Sequence, residues 1–163
     1  MSQETRSGRR AGYEIDGEQP GRILTVDSVA AVCNAWREAT DENEAVCLIG
    51  LFALLHIGGV PTRYDVALCT TSLDDIIDYQ PTDMTINAGA GVSFSQLQAV
   101  LGEHAQWLPL DPPSPENATV GGVIAANLSG PCRLSQGTVR DFLIGIKVVR
   151  ADGTLIKLSL IHI

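Results

Sequence analysis

The residues best suited to chemistry lie between positions 109 and 141, where glycines alternate with small and polar residues. Thr119 begins the sequence Thr-Val-Gly-Gly, and its hydroxyl can cap a short helix by accepting a first-turn N–H group. Free N–H groups at such a helix start, together with the helix dipole, favour an anion such as a pyrophosphate. Gly121 and Gly122 let an anion or a flat ring approach the backbone closely. The pattern predicts an anion site, although a glycine turn before a core helix explains it equally well.

Polar groups continue beyond this turn. Asn127 ends a short run of small apolar residues, and its side chain can both donate and accept hydrogen bonds. Ser129 and Gly130 then begin a second turn, and Pro113 belongs to the proline-rich segment that precedes the first one.

The order of these motifs resembles the flavin-binding domain of the vanillyl-alcohol oxidase and p-cresol methylhydroxylase superfamily. Within that superfamily it is most similar to the FAD-binding subunits of bacterial glycolate oxidases. The order is Pro-Leu-Asp-Pro-Pro, Thr-Val-Gly-Gly, Ala-Asn-Leu-Ser-Gly-Pro, Gly-Thr-Val-Arg-Asp, and an apolar strand that ends in Ala-Asp-Gly. The resemblance extends from residue 13 to residue 157 and is strongest from 85 to 153. It implies an α+β fold, with FAD lying between two small α/β subdomains.

The resemblance also implies a function, a set of partners and a set of cofactor contacts. The function is oxidation of a small 2-hydroxy acid such as glycolate by hydride transfer to FAD, where the protein supplies position and electrostatics. The partners are flavin and iron–sulfur subunits of a cytoplasmic complex, through which any contact with the inner membrane would occur. The implied FAD contacts are Gly50, Pro113, Thr119, Gly121, Gly122, Asn127, Ser129 and Gly130, with the backbone near Ile146 reaching the adenine. No metal site is implied, and no catalytic residue is assigned, because those side chains lie mainly in a further domain of the family.

One departure from the family falls on the glycine-rich loop that holds the FAD pyrophosphate. Only Gly50 remains of its glycines, since Leu51 and Phe52 occupy glycine positions and Ala53 replaces a hydroxyl residue. We expect these side chains to crowd the phosphates and to disfavour positive φ. A second hypothesis therefore stays open, in which the chain is a truncated, non-catalytic remnant with weak or no FAD binding.

The composition is that of a globular domain. The chain has 163 residues, of which 45% are hydrophobic and 18% charged, a balance compatible with one folded core. A formal net charge of −8 without a basic patch argues against nucleic-acid binding. The four cysteines are widely spaced and form no Cys-x-x-Cys pair. We therefore expect reduced thiols in the cytoplasm, with neither a zinc site nor a disulfide framework.

The most hydrophobic segment, residues 45–62, carries no charge but is shorter than the roughly 20 apolar residues of a membrane span. We predict a buried strand followed by a turn of helix, and no integral membrane span. A membrane-associated protein is the third hypothesis. A nicotinamide-binding domain is disfavoured, because the expected G-x-G-x-x-G pattern after a first strand is absent.

The chain is predicted to divide into three segments. These are a flexible N-terminal tail at residues 1–20, an incomplete FAD-binding domain at 21–157, and a C-terminal end at 158–163 that departs from the family. Since the family continues with more of the flavin domain and a substrate domain, we interpret the C-terminus as truncated.

Hydrophobic periodicity predicts the elements that position the turns. Apolar residues at helical spacing predict a helix from Val29 to about Ala39, and Ser93 with Gln96 forms a capping-box pattern that starts a second helix. Strands are predicted at residues 45–49, 65–69, 76–79, 84–88, 107–109 and 142–150, with a hairpin turn at Asp152-Gly153.

Overall fold

The structure, a computed structural model, describes residues 13–53 and 59–159. Within these ranges, helices and strands alternate in the α+β arrangement that the sequence predicts. The elements are β1 (Arg22–Thr25), α1 (Val29–Asp41), β2 (Val46–Ile49), β3 (Val66–Cys69), β4 (Ile76–Gln80), β5 (Thr85–Ala88), α2 (Phe94–Gly102), α3 (Val120–Ala125), α4 (Arg133–Gln136), α5 (Val139–Phe142), β6 (Gly145–Val149) and β7 (Leu155–Ser159).

A three-stranded parallel sheet forms the first part of the fold, in the order β1-β3-β2. Every residue of the central strand β3 is buried, as expected for a parallel strand that is covered on both faces. Helix α1 covers one face, where Val32 and Ala35 pack with Leu68. Ser28 caps this helix by accepting a hydrogen bond from Ala31 N–H at 3.2 Å. The predicted helix and the positions of the first two predicted strands are confirmed. The expected burial of the first of these strands is wrong, because Leu48 in β2 is 53% exposed.

The opposite face of the sheet is covered by the segment that precedes β1. Ile15 packs there with Ile49, Ala67 and Cys69, and Tyr13 packs against the same group. Ile15 exchanges two backbone hydrogen bonds with Glu18, at 2.9 and 3.0 Å, which closes the segment into a turn. The last residues of the segment assigned to a flexible tail therefore contribute to the core.

The second part of the fold has its own core around α2 and α3. Ser93 caps α2 by accepting from Gln96 N–H at 3.1 Å, in the position that the capping pattern predicts. The core residues are Val92, Phe94, Leu97, Leu101, Leu110, Ala118, Val123 and Val139. Strands β4 and β5 pair antiparallel beside this core, as predicted.

The β6–β7 hairpin attaches this second part to α1. Thr40 Oγ1 donates to Ala151 O at 2.6 Å, and the Arg37 guanidinium donates to Gly153 O at 3.1 Å. Gly153 has φ +72, and a Cβ built there would lie 2.5 Å from Cys33 O. The hairpin tip thus depends on a glycine both for its backbone conformation and for its close approach to the helix.

The strand predicted at residues 107–109 is wrong. The Gln98 side chain donates from Nε2 to Leu108 O at 2.7 Å and accepts from Leu108 N–H at 3.0 Å. A side chain of α2 therefore makes both hydrogen bonds that a neighbouring strand would make. Residue periodicity contains no sign of this contact.

The strand predicted at residues 142–150 starts three residues later, at Gly145. Thr138 donates its backbone N–H and its hydroxyl to Asp141 Oδ2, at 2.7 and 2.9 Å, and this capping box starts α5. The two donated hydrogen bonds, the backbone one first, lower the pKa of the Asp141 carboxyl. The helical turn includes Phe142, which delays the strand.

Gly153→Ala is expected to lower the free energy of unfolding by about 2 kcal/mol, because the new methyl group overlaps α1 in addition to straining the backbone. Gly17→Ala is the matched control, since Gly17 also has positive φ but nothing lies within 4 Å of its Cβ position. The measurement is urea unfolding followed by circular dichroism. Equal losses for the two variants would show that backbone strain, and not contact with α1, determines the effect.

Candidate cofactor-binding site

The predicted N-cap at Thr119 is confirmed. Its backbone is extended, its hydroxyl accepts from Gly122 N–H at 3.1 Å, and α3 begins at Val120. Only 4% of Thr119 is exposed. The cap therefore lies inside the protein, where an unpaired hydroxyl would be unfavourable.

The expectation of free N–H groups at this helix start is wrong. Val120 N–H donates to Val92 O and Gly121 N–H donates to Ala90 O, each at 2.9 Å, while Gly122 N–H is bound to the cap. A Cβ at Gly121 would lie 2.8 Å from Ala90 Cβ. This glycine lets the segment before α2 approach α3, and the first-turn donors are used for protein contacts and not for an anion.

A second predicted contact, Gly50, lies against the same cap. Gly50 follows the buried end of β2, and a Cβ built on it would lie 2.7 Å from Thr119 Oγ1. The structure thus brings together the end of a strand in the first part of the fold and the start of a helix in the second. A side chain at position 50 would force the two apart.

The loop that follows, residues 50–53, carries backbone donors without an acceptor among the described residues. No residue that the structure describes accepts a hydrogen bond from the backbone N–H groups of Leu51, Phe52 or Ala53. Phe52 has φ +66, so its side chain does not prevent the left-handed conformation, contrary to the expectation from the sequence. Successive N–H groups around such a residue form a concave site that suits an anion.

The second turn is held by its own hydrogen bonds. Ser129 is 2% exposed, and its hydroxyl accepts from Val139 N–H at 3.1 Å while its carbonyl accepts from Asp111 N–H at 3.3 Å. Gly130 has φ +66, and a Cβ there would collide with Asp111 O. Both residues shape the turn. Asn127, which precedes them, is exposed and has φ +51.

A groove brings Asn127 and Ile146 together, two residues far apart in the sequence. It has a volume of about 300 Å³, and its other lining residues are Ile124, Val139, Arg140, Leu143, Gly145 and Leu158. Its walls are mainly apolar, which suits a flat ring with polar groups at its rim. Pro113 does not line this groove and is exposed.

The cysteines next to the 50–53 loop are unreactive by environment. Burial raises the pKa of the Cys47 and Cys69 thiols, so both are protonated at neutral pH. Within residues 13–53 and 59–159, no cluster of His, Cys, Asp or Glu could hold a metal ion. No helix in these ranges is long and apolar enough to cross a membrane.

The family follows from comparison with known proteins. Residues 20–159 match the FAD binding domain family over most of the chain. The chain belongs to the FAD-binding domain family. FAD is therefore its cofactor, and the predicted family, fold class and cofactor are confirmed.

Two relatives illustrate the range of the family. The glycolate oxidase subunit GlcE of Escherichia coli is 39% identical over 79 residues, which is 48% of this chain and 23% of that protein. The D-2-hydroxyglutarate–pyruvate transhydrogenase of Saccharomyces cerevisiae is 29% identical over 139 residues, 85% of this chain and 28% of that protein. The chain thus spans about a quarter of the length of these relatives. It is an FAD-binding domain similar to those of oxidoreductases.

The fold also has counterparts among solved structures. Alkyldihydroxyacetonephosphate synthase superposes with a TM-score of 0.76 at 22% identity, over 87% of this chain and 29% of that one. This similarity concerns the fold alone.

Gly50→Ala is expected to lower the free energy of unfolding by about 2 kcal/mol, because Thr119 is buried and cannot move away from the added methyl group. Gly102→Ala, at the end of α2, is the matched control, since nothing lies within 4 Å of its Cβ position. Thermal and urea unfolding of both variants measure the difference. If Gly50→Ala were as stable as Gly102→Ala, the close contact with Thr119 would not hold the two parts together.

Proposed function

We propose that this chain is the FAD-binding module of an oxidoreductase that oxidises a small 2-hydroxy acid such as glycolate. It acts as a subunit of a larger complex that contains other flavin and iron–sulfur subunits. The observation that carries the proposal is the row of available N–H groups at residues 51–53, held against Thr119 by the contact at Gly50.

The donor set of the site fits FAD. The N–H groups of Leu51, Phe52 and Ala53 suit the oxygens of a pyrophosphate, since backbone donors bind such anions without a counter-charge. The groove at Asn127 and Ile146 suits the adenine, because it is apolar with an amide at its rim. FAD, when bound, supplies the acceptor for the hydride, and the residues of this chain supply its position.

The remaining predicted contacts have more modest roles in this proposal. Thr119, Gly121, Ser129 and Gly130 shape the backbone against which the cofactor lies, through the hydrogen bonds and close approaches described above. Gly122 contributes by donating its N–H to the Thr119 hydroxyl. Pro113 has no described link to the loop or the groove, and its contact with FAD stays a prediction.

The substrate class is inferred from the relatives. Glycolate and 2-hydroxyglutarate, which appear in their names, are both 2-hydroxy acids. Because the chain spans about a quarter of these proteins, the side chains that bind and activate the substrate belong to a further domain or subunit. The same proposal includes the FAD-binding domain at 21–157 and the C-terminal end at 158–163. The segment at 1–20 precedes the domain, and its last residues pack against the sheet. We also propose a cytoplasmic location, with membrane contact only through partners.

A specific observation favours a second candidate, the non-catalytic remnant. Leu51 and Phe52 place side chains at positions where the family has glycines, and Phe52 is 40% exposed beside the loop donors. In this alternative the fold persists, but FAD binds weakly or not at all.

The first experiment is a titration of the purified chain with FAD and with riboflavin, followed by flavin fluorescence and visible absorption. We expect saturable FAD binding and an affinity for riboflavin lower by about 100-fold, since riboflavin lacks the groups that the loop donors and the groove would hold.

Ile146→Glu is expected to weaken FAD binding by more than about tenfold, because it buries a carboxylate in the groove. The exposed Ile144→Glu is its control.

A folded chain that stays colourless and does not quench flavin fluorescence would support the remnant.

For the substrate class, the chain is purified with its native partners and exposed to glycolate, D-lactate and succinate without oxygen. Bleaching of the flavin absorption by the two 2-hydroxy acids, but not by succinate, is the expected result. Bleaching by succinate alone would contradict the proposed substrate class.

A further inference from the structure

Phe52, the residue of the 50–53 loop with an unfavourable backbone conformation, contacts an aromatic residue from a distant part of the chain. Phe52 adopts φ +66, a conformation that non-glycine residues rarely adopt. Its ring meets the ring of Tyr13, with centroids 5.2 Å apart and an angle of 66° between the ring planes. This edge-to-face arrangement is the favourable geometry for two aromatic rings.

Tyr13 is itself fixed to the parallel sheet. It packs against the group that contains Ile15 and Ile49, on the face of the sheet opposite α1. Interaction of its hydroxyl with the side chain of Cys69 at the end of β3, followed by burial, raises the pKa of Tyr13 to about 12. The phenol is therefore neutral over the whole physiological range.

We propose that Tyr13 and Phe52 form an aromatic clasp that takes the place of the missing loop glycines. The clasp holds Phe52 in the left-handed conformation, so that the N–H groups of Leu51, Phe52 and Ala53 stay available for the cofactor pyrophosphate. Tyr13 is a positioning residue in this proposal. The inference rests on the proposed function, in which this loop binds the pyrophosphate of FAD.

Two energies decide whether the loop keeps this conformation: the backbone strain at Phe52 and its ring contact with Tyr13. A left-handed non-glycine residue is unfavourable by an amount comparable to the energy of one aromatic pair. Without the pair, Phe52 would return to an extended or helical conformation, which would change the directions of the neighbouring N–H groups. With the pair, the loop keeps a glycine-like backbone although it contains a phenylalanine.

A neighbouring tyrosine provides a control within the same group. Tyr64 is 7% exposed, and its hydroxyl has no hydrogen-bond partner among the described residues. Tyr64→Phe therefore removes a buried hydroxyl from the same cluster without touching the clasp. Tyr13→Phe removes the hydroxyl that contacts Cys69 but keeps the ring that contacts Phe52.

The test is a double-mutant cycle on the full chain, with affinities for FAD, ADP and adenosine measured by calorimetry. Tyr13→Ala is expected to weaken FAD and ADP binding by about tenfold, the factor that the loss of one aromatic pair corresponds to. Adenosine lacks the pyrophosphate, so its binding should change by less than about twofold. In the Phe52→Gly background, Tyr13→Ala should change FAD binding by less than about twofold, because glycine adopts positive φ without help.

The controls separate the clasp from a purely structural role. Tyr13→Phe should weaken FAD binding less than Tyr13→Ala does, and Tyr64→Phe should leave it unchanged. Circular dichroism establishes which variants are folded. If Tyr13→Ala unfolds the chain, Tyr13→Phe is used in its place. Its effect on FAD affinity is then measured in the unmodified chain and in the Phe52→Gly background. The larger loss of affinity is expected in the unmodified chain.

Two outcomes would overturn the inference in distinguishable ways. If the unmodified chain binds FAD and ADP but Tyr13→Ala acts equally in both backgrounds, or weakens adenosine as strongly as ADP, the clasp does not position the loop. If the unmodified chain binds neither FAD nor ADP, the proposed function itself fails.

Discussion

The close approach of Gly50 to Thr119 is the constraint on which the site depends. The first residue after β2 and the cap of α3 adjoin residues of two different cores, yet a single carbon added to Gly50 would lie 2.7 Å from the threonine hydroxyl oxygen. Because that oxygen also accepts from Gly122 N–H, it cannot turn away without releasing a partly buried donor. The two parts of the fold therefore meet at one fixed distance, and the 50–53 loop lies beside the helix start.

The structure assigns different roles to the start of α3 and to the 50–53 loop. Ala90 and Val92 already accept the first donors of α3, so the helix start is a structural joint that fixes the segment before α2. The N–H groups of the 50–53 loop have no acceptor among the described residues, although this is the part of the sequence that had lost its glycines. A sequence pattern shows where N–H groups occur, but only the fold shows which of them still lack an acceptor.

The elements that could be predicted from sequence are those that depend on local hydrogen bonds. Ser93 and Thr119 cap their helices as predicted, because each cap is complete within three residues of chain. The strand start at Gly145 is also set locally, by the capping box of Thr138 and Asp141. The other failures involve partners that local patterns do not contain. Leu108 reads as part of a strand, but its hydrogen bonds go to the Gln98 side chain. The groove at Asn127 and Ile146 likewise requires the chain to fold before its residues meet.

Phe52 shows the same limitation at the cofactor site. From its residue type alone, a phenylalanine at a glycine position should move the backbone out of the left-handed region, and this reasoning is correct for an isolated loop. The argument omits Tyr13, whose ring lies edge-to-face with Phe52 and which packs against the parallel sheet. The unfavourable conformation and the favourable contact have similar magnitudes, so the sign of the balance depends on a residue 39 positions earlier in the chain. A lost glycine is therefore evidence against a binding loop only when no neighbour can hold the backbone in its place.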